Sequence, residues 1–192
     1  MEKLLNNFDS LCLDQNLMSI KEKILTNQRL DLDDAEVIMT SNDINSVGML
    51  AQYKKFSKDG AKIYFVVNRH INPSNVCAIS CKFCAFGKKK GSSDSYEMTI
   101  DEILSLLNDD LKEVHIVGGL HPWLPFSYYT EMLTALKEIA PNIHIKAFTA
   151  VEIVHFAKIS KRGRDGSAGI SSVLSELIEH GLGSLPGGGA EV

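Results

Sequence analysis

The sequence predicts an α/β fold in which short helices come first and a partial parallel βα-barrel follows. Apolar residues recur at helical spacing between residues 14 and 58. From residue 62 onward, apolar runs rich in β-branched residues alternate with amphipathic stretches, a pattern typical of parallel strands joined by right-handed crossovers. The chain has 192 residues, fewer than the roughly 250 of a closed barrel. We therefore expect a helical segment over residues 1–60 and about four βα units over residues 61–192.

The helical segment is expected to hold three main helices. The first is predicted over residues 16–27. Asp33 or Asp34 is expected to cap the second and Asp43 the third, because a short carboxylate can accept the free N–H groups of a first helical turn. Gly60 is the expected end of the third helix.

The second segment is expected to alternate strands and helices. Its first strand is predicted at residues 62–67, whose continuous apolar character is typical of a strand buried on both faces. Thr99 and Glu102 match a capping box that would open the first crossover helix. The other expected strands are residues 113–117, residues 144–150 and the beginning of a fourth unit at 184–189, and the other expected helices are residues 126–139 and 171–180.

Composition excludes several classes of partner. The net charge is -4, and the one basic cluster, residues 88–90, is too short to indicate a nucleic-acid surface. No apolar run approaches the roughly 20 residues of a membrane span, and the N-terminus lacks the pattern of a signal peptide. We expect a cytoplasmic protein that binds neither nucleic acid nor membrane.

Three cysteines lie together in the loop after the first predicted strand. Cys77, Cys81 and Cys84 have C-x3-C-x2-C spacing, and reduced, clustered thiols are typical metal ligands. Three thiolates leave one corner of a four-iron cluster free for an outside ligand. Structural zinc is the alternative, but it needs a fourth ligand, and no second pair at zinc-finger spacing follows. Cys12 stands alone and is expected to be an ordinary apolar side chain.

This motif, with Phe83 just before its last cysteine, resembles that of the radical S-adenosylmethionine (SAM) superfamily. The resemblance implies a [4Fe-4S] cluster whose open iron binds the amino and carboxylate groups of SAM. It implies reductive cleavage of SAM to methionine and a 5′-deoxyadenosyl radical, with an electron donor such as a flavodoxin or ferredoxin. It also implies that the partial βα-barrel is of the radical SAM type.

Four further segments resemble the aminodeoxyfutalosine synthases, a family within that superfamily: residues 68–77, 115–122, 145–153 and 185–191. The resemblance implies a transferase of menaquinone biosynthesis that adds the deoxyadenosyl radical to 3-[(1-carboxyvinyl)oxy]benzoate and forms aminodeoxyfutalosine with loss of CO2. The alternatives are a related cyclase (dehypoxanthinylfutalosine cyclase-like or deazaflavin-forming) and an inactive iron–sulfur fragment.

The resemblance also suggests cofactor-binding residues at strand ends. Gly118 and Gly119 end the second predicted strand, where glycine would let the backbone approach SAM; a simple tight turn is the alternative. Glu152 follows the third strand and is either an acceptor for SAM hydroxyl or amino groups or a carboxylate at a helix N-terminus. Gly188 lies in a glycine run that would admit a nucleoside or substrate.

Four polar residues are candidate substrate contacts. His121 lies in a loop facing the expected site, where it would orient the substrate or move a proton, or simply pack in the loop. Arg69 would pair with a substrate carboxylate, and His70 and Asn72 would line the pocket.

The length of the predicted barrel also suggests a partner. Four strand units leave the first and last strands without neighbours, so we expect the chain to be a partial enzyme, with pairing of two copies as one way to close the core. Residues 161–169 depart from the family pattern by being longer and richer in glycine than the usual connection.

Overall fold

The computed structural model describes residues 5–79, 81–82 and 84–187. The chain divides into two compact units, Met1–Tyr64 and Phe65–Val192. The domain boundary expected at residue 60 stays a prediction, and the two units are described separately below. Within the described ranges, every helix is too short or too polar to cross a membrane.

The first unit is a set of short helices around a small apolar core. Four side chains at its centre are almost completely buried: Phe8, Leu17, Ile20 and Leu50. Cys12 is buried beside them, as expected of an ordinary apolar side chain. The helices are α1 (Phe8–Leu11), α2 (Leu17–Leu25), α3 (Leu32–Thr40) and α4 (Ile44–Asp59).

The helix ends in this unit follow from side-chain chemistry. Asp43 caps α4 by accepting the Ser46 N–H, and Gly60 ends that helix, as predicted. The predicted cap of α3 is wrong, because Asp31 holds the N-cap position. The Asp34 carboxylate instead accepts the Asp31 N–H at 2.9 Å, and Asp34 is therefore the second member of a capping box.

The second unit is a three-stranded parallel sheet with helices between its strands. The strand order is β1-β2-β3, so each strand pairs with the next one along the chain. Thr99 and Glu102 form the predicted capping box at the start of α5. The elements are β1 (Asn68–Ile71), α5 (Ile100–Leu104), β2 (Glu113–Ile116), α6 (Phe126–Ile139), β3 (His144–Ala147), α7 (Ala150–Ile159), a 3-10 turn (Gly163–Asp165) and α8 (Gly166–Glu179).

The first strand is not where its apolar character placed it. Residues 62–67 are not assigned to a strand, and Phe65 is 88% exposed. Pairing with β2 begins only at Asn68, opposite Glu113, and Val67 precedes it by accepting the Lys112 N–H. Apolar composition indicated burial on two faces, but among the described residues no layer covers this segment.

Two later boundaries also differ from the predictions. β3 ends at Ala147 because Phe148 turns the chain with φ 69° and Thr149 then caps α7. α8 begins at Gly166, five residues before the predicted start, so the unusual stretch 161–169 becomes a 3-10 turn and the first turn of a helix. The fourth unit is represented by one parallel bridge from Ser184 to Lys146, and residues 188 and 189 lie outside the described residues.

The core of the second unit lies between one face of the sheet and the crossover helices. Buried strand residues Ile116 and Ile145 share it with Leu133, Phe156 and Leu177. Full burial of such a side chain contributes about 1.5–3 kcal/mol. This packing fixes the strands, and the three strands therefore present their carboxyl ends at one edge of the sheet.

We predict that Gly169→Ala destabilises the second unit. A Cβ at Gly169 in α8 would overlap the Arg162 carbonyl oxygen, so the helix or the preceding turn would have to move. Overpacking of this kind typically costs about 1–3 kcal/mol. Chemical denaturation followed by circular dichroism measures the change.

Gly48→Ala is the matched control, since Gly48 lies inside α4 and a Cβ there meets nothing within 4 Å. We expect Gly48→Ala to be neutral or to stabilise by about 0.5–1 kcal/mol, because alanine loses less conformational entropy in a helix than glycine does. Equal effects of the two substitutions would contradict the packing described for Gly169.

Candidate functional site

The candidate site lies at the carboxyl-end edge of the sheet. The loop after β1 carries the three cysteines, the turn after β2 carries Gly118 and Gly119, and the start of α7 follows β3. In parallel α/β folds this edge is where ligands and reacting groups are usually held. We call residues 72–87 the cysteine loop and residues 118–120 the glycine turn.

The first half of the cysteine loop is held firmly from one side by residues 88–98. Asn75 is buried and bonds through its side chain to the backbone of Asp94 and Tyr96. The Ser74 hydroxyl donates to the Tyr96 carbonyl, and the Cys77 N–H donates to the Lys88 carbonyl at 2.9 Å. The position of Cys77 is therefore fixed by buried polar bonds before any cofactor is considered.

The glycine turn holds the same half of the loop from the other side. The Gly119 N–H donates to the Ser74 carbonyl at 2.8 Å, and the Ala78 N–H donates to the Leu120 carbonyl at 2.9 Å. A Cβ on Gly119 would overlap the Val76 carbonyl oxygen, so only glycine permits this backbone approach. Gly119 is thus required for contact with the cysteine loop. A role in binding SAM stays a prediction for Gly118 and Gly119.

Glu152 ties the glycine turn to α7. Its carboxylate accepts the Gly118 N–H at 3.0 Å through Oε1 and the Thr149 N–H at 2.7 Å through Oε2. The side chain is 4% exposed, and burial raises the pKa of Glu152 while these hydrogen bonds oppose the rise. This is the helix N-terminal carboxylate that the sequence left as an alternative, and a role of Glu152 in binding SAM stays a prediction.

The three thiols differ in how the protein holds them. The Cys77 sulfur is half-buried and accepts the Leu120 N–H at 3.4 Å, whereas Cys81 and Cys84 are exposed. All three are free cysteines on one loop, and thiolate is the ligand that iron–sulfur clusters use. Among the described residues, no three candidate metal ligands already converge. The donor set therefore fits an iron–sulfur cluster in chemistry, while the arrangement around a cluster stays a prediction.

His121 is engaged by the loop that carries it. Its side chain is 1% exposed, and its Nδ1 accepts the N–H groups of Trp123 and Leu124. Those bonds assign the proton to Nε2, which donates to Glu97 at 2.9 Å, and this bond lowers the pKa of Glu97. With both ring nitrogens occupied, the packed-loop alternative describes His121 here, and its predicted catalytic role is untested.

The remaining candidates lie on or just after β1. Arg69 is exposed, and Asn72 donates from Nδ2 to the Val117 carbonyl at 2.7 Å. His70 stacks on His115 of β2, with ring centroids 4.9 Å apart and nearly parallel planes. Gly188 lies outside the described residues.

Sequence reasoning missed a polar row across the sheet. His70, His115 and Lys146 are aligned by the strand register and therefore share one face, opposite to the buried core face. Burial lowers the pKa of the His115 imidazole. The Nζ of Lys146 lies 3.8 Å from Oε1 of Glu113. The signal was present in the alternation of polar His115 and Lys146 with buried apolar neighbours in each strand.

Comparison with known proteins identifies related sequences. The model of the radical SAM superfamily matches residues 71–170, more than half of the 192-residue chain. The chain is 42% identical to aminodeoxyfutalosine synthase of Streptomyces coelicolor over 177 residues, which are 90% of this chain and 44% of that protein. It is 36% identical to aminodeoxyfutalosine synthase of Thermus thermophilus over 183 residues, 93% of this chain and 48% of that protein.

A relative of different activity is similar over the same span. The chain is 33% identical to cyclic dehypoxanthine futalosine synthase of Halalkalibacterium halodurans over 178 residues, 90% of this chain and 46% of that protein. The chain thus spans about half the length of the curated relatives that it matches. The family match covers the cysteine loop, the glycine turn and Glu152, and on this basis the chain belongs to the radical SAM superfamily.

Proposed function

We propose that this chain carries the cluster- and SAM-binding part of a transferase similar to the aminodeoxyfutalosine synthases. The observation that carries the proposal is the cysteine loop, fixed on both sides at the carboxyl edge of a parallel sheet. The greater similarity to two aminodeoxyfutalosine synthases than to the cyclase supports the choice of reaction. The reaction proposed is addition of a 5′-deoxyadenosyl group to 3-[(1-carboxyvinyl)oxy]benzoate in menaquinone biosynthesis.

In this proposal Cys77, Cys81 and Cys84 hold a [4Fe-4S] cluster with one open corner. With SAM bound there and an electron from a flavodoxin or ferredoxin, the cofactors would supply the deoxyadenosyl radical. The backbone of this chain would help to position the cluster ligand Cys77, since the Leu120 N–H already donates to the Cys77 sulfur. Gly118 and Gly119 are proposed to border SAM on the side of the glycine turn.

The polar row of His70, His115 and Lys146 is proposed to form one wall of the substrate site. It lies on the face of the sheet that the apolar core leaves free, and in a βα-barrel that face would be the interior. The proposed substrate carries two carboxylates, which a lysine and imidazole N–H groups can bind by charge-assisted hydrogen bonds. Asn72 is proposed to lie near the same wall, whereas the strand register aligns Arg69 with Val114 and Ile145 on the core face.

We also propose that the three strands belong to a partial radical SAM βα-barrel. Within the described residues, β1 pairs only with β2, and β3 has only the bridge to Ser184 on its other side. Strand edges of this kind need a neighbour, so two copies of this chain would gain stability by pairing them. A homodimer is the proposed form of the 192-residue chain in solution.

We predict that Cys81→Ala loses the cluster. Removing one of three thiolates leaves two ligands on the loop, which cannot hold four irons stably. Iron and sulfide content after anaerobic reconstitution measures the effect. Cys12→Ala is the control, since Cys12 is buried in the helical unit, where its thiol donates to the Asp14 carbonyl. Equal iron content in the two variants would contradict the assignment of ligands.

We predict that Lys146→Met weakens substrate binding about tenfold or more, because a hydrogen bond to a charged group is worth about 1.5–3 kcal/mol. Lys112→Met is the matched control, since Lys112 is exposed and lies just before β2 rather than in the polar row. Equilibrium binding of 3-[(1-carboxyvinyl)oxy]benzoate to the reconstituted protein measures the effect. Circular dichroism checks that both variants fold. Unchanged affinity for this substrate in a folded Lys146→Met variant would contradict the proposal that the polar row forms a wall of the substrate site.

The product distinguishes the proposed transferase from the cyclase. With stoichiometric reconstituted protein, SAM, reductant and substrate, we expect a product that carries the adenosyl group. Formation of free 5′-deoxyadenosine coupled to substrate oxidation would favour the cyclase instead.

A further inference from the structure

We propose that Glu152 is a positioning residue that, through the glycine turn, sets the reduction potential of a cluster held by Cys77. The inference rests on the cluster assignment made above, but not on the identity of the substrate. It concerns a continuous set of hydrogen bonds from the start of α7 to the Cys77 sulfur. Each bond in the set is direct, and no solvent molecule is needed to complete it.

The bonds run from Glu152 to the cysteine loop in three steps. Glu152 Oε1 accepts the Gly118 N–H at 3.0 Å, which fixes the beginning of the glycine turn. The Gly119 N–H donates to the Ser74 carbonyl at 2.8 Å and anchors the turn on the loop. The next N–H, that of Leu120, donates to the Cys77 sulfur at 3.4 Å.

A hydrogen bond to a cluster thiolate changes the energy of reduction. Reduction adds one electron, so the sulfur ligands become more negative, and an N–H dipole pointing at a sulfur stabilises that state more than the oxidised one. Hydrogen bonds to the sulfurs are therefore one of the factors that set cluster potentials. Loss of the Leu120 bond should lower the potential and make the cluster harder to reduce.

The capping role of Glu152 alone does not account for its contacts. Glu102 stands at the same N3 position of α5, and its carboxylate makes the same pair of bonds to the N–H and hydroxyl of Thr99. Glu102 is exposed, whereas Glu152 is 4% exposed and uses its second oxygen for Gly118. The difference between the two capping boxes is thus the bond to the glycine turn.

Substitution by aspartate separates this bond from charge and capping. Aspartate keeps the negative charge, and Asp34 of α3 shows that an aspartate at N3 can complete a capping box. It is shorter by one carbon–carbon bond, about 1.5 Å, so the 3.0 Å contact with the Gly118 N–H would be lost. A change in potential could then not be assigned to a removed charge.

The experiment compares Glu152→Asp with its matched control Glu102→Asp. Both proteins are reconstituted anaerobically, their iron content is measured, and the cluster is titrated with a chemical reductant in the absence of SAM. We expect Glu152→Asp to disfavour reduction about tenfold, a shift of about 59 mV to lower potential for one electron. We expect Glu102→Asp to match the wild type.

A second pair of variants keeps the proposal testable if Glu152→Asp folds poorly. Gly119→Ala would push the turn away from the Val76 carbonyl, whereas a Cβ at Gly118 comes no nearer than 3.2 Å to the Ser74 oxygen. Gly119→Ala should therefore lower the potential, and Gly118→Ala should change it much less. Circular dichroism and iron content identify variants that have lost the fold or the cluster.

The wild-type protein provides a direct readout that depends on no variant. With [15N]leucine incorporated, electron-nuclear double resonance of the reduced cluster should detect a coupled 15N nucleus, that of Leu120. Absence of the coupling, or unchanged potentials in folded, iron-replete Glu152→Asp and Gly119→Ala, would overturn the proposal. Failure of the wild type to assemble any cluster would instead overturn the proposed function on which it rests.

Discussion

The close approach of Gly119 to the Val76 carbonyl is the constraint on which the candidate site depends. A side chain at position 119 would fill the space where the two backbone segments meet. Because no side chain intervenes, the Gly119 N–H reaches the Ser74 carbonyl and the next N–H reaches the Cys77 sulfur. One glycine thereby brings the end of β2 against the loop that leaves β1.

Two kinds of force maintain that approach. The apolar core between the sheet and the crossover helices fixes the relative positions of the three strands, and so of their carboxyl ends. Buried polar bonds then fix the loop itself, since the side chains of Ser74 and Asn75 are satisfied by the backbone of residues 94–96. Such satisfied networks specify one conformation, because breaking any member leaves a buried polar group without a partner. The half of the loop that contains Cys77 is consequently defined by the protein alone.

The sequence predicted the features that depend on local chemistry. The capping box of Thr99 and Glu102, the Asp43 cap and the helix at 126–139 each follow from a few neighbouring residues, and all were confirmed. The strand predicted at 62–67 was wrong because apolar composition indicates burial without indicating which element provides it. Pairing with β2 determined the true strand, and pairing is a long-range property.

The part of the candidate site that depends on neighbouring residues could be predicted from the sequence. The part that depends on long-range contacts could not. Cysteine spacing is local, so the family could be identified from the motif and is supported by the match over residues 71–170. The bond from Glu152 to Gly118 joins residues 34 positions apart, and a local pattern could not distinguish Glu152 from Glu102. The polar row was detectable in principle, but it required the register of three strands as well as the alternation within each one.

The measurement that tests the central claim most directly is Mössbauer spectroscopy of the 57Fe-reconstituted chain, recorded with and without SAM. If Cys77, Cys81 and Cys84 hold a four-iron cluster with one open corner, one iron of the four should change its isomer shift when SAM is added, while the other three remain as they were. A spectrum that does not respond to SAM, or a single tetrahedral iron bound by the cysteines, would contradict the account.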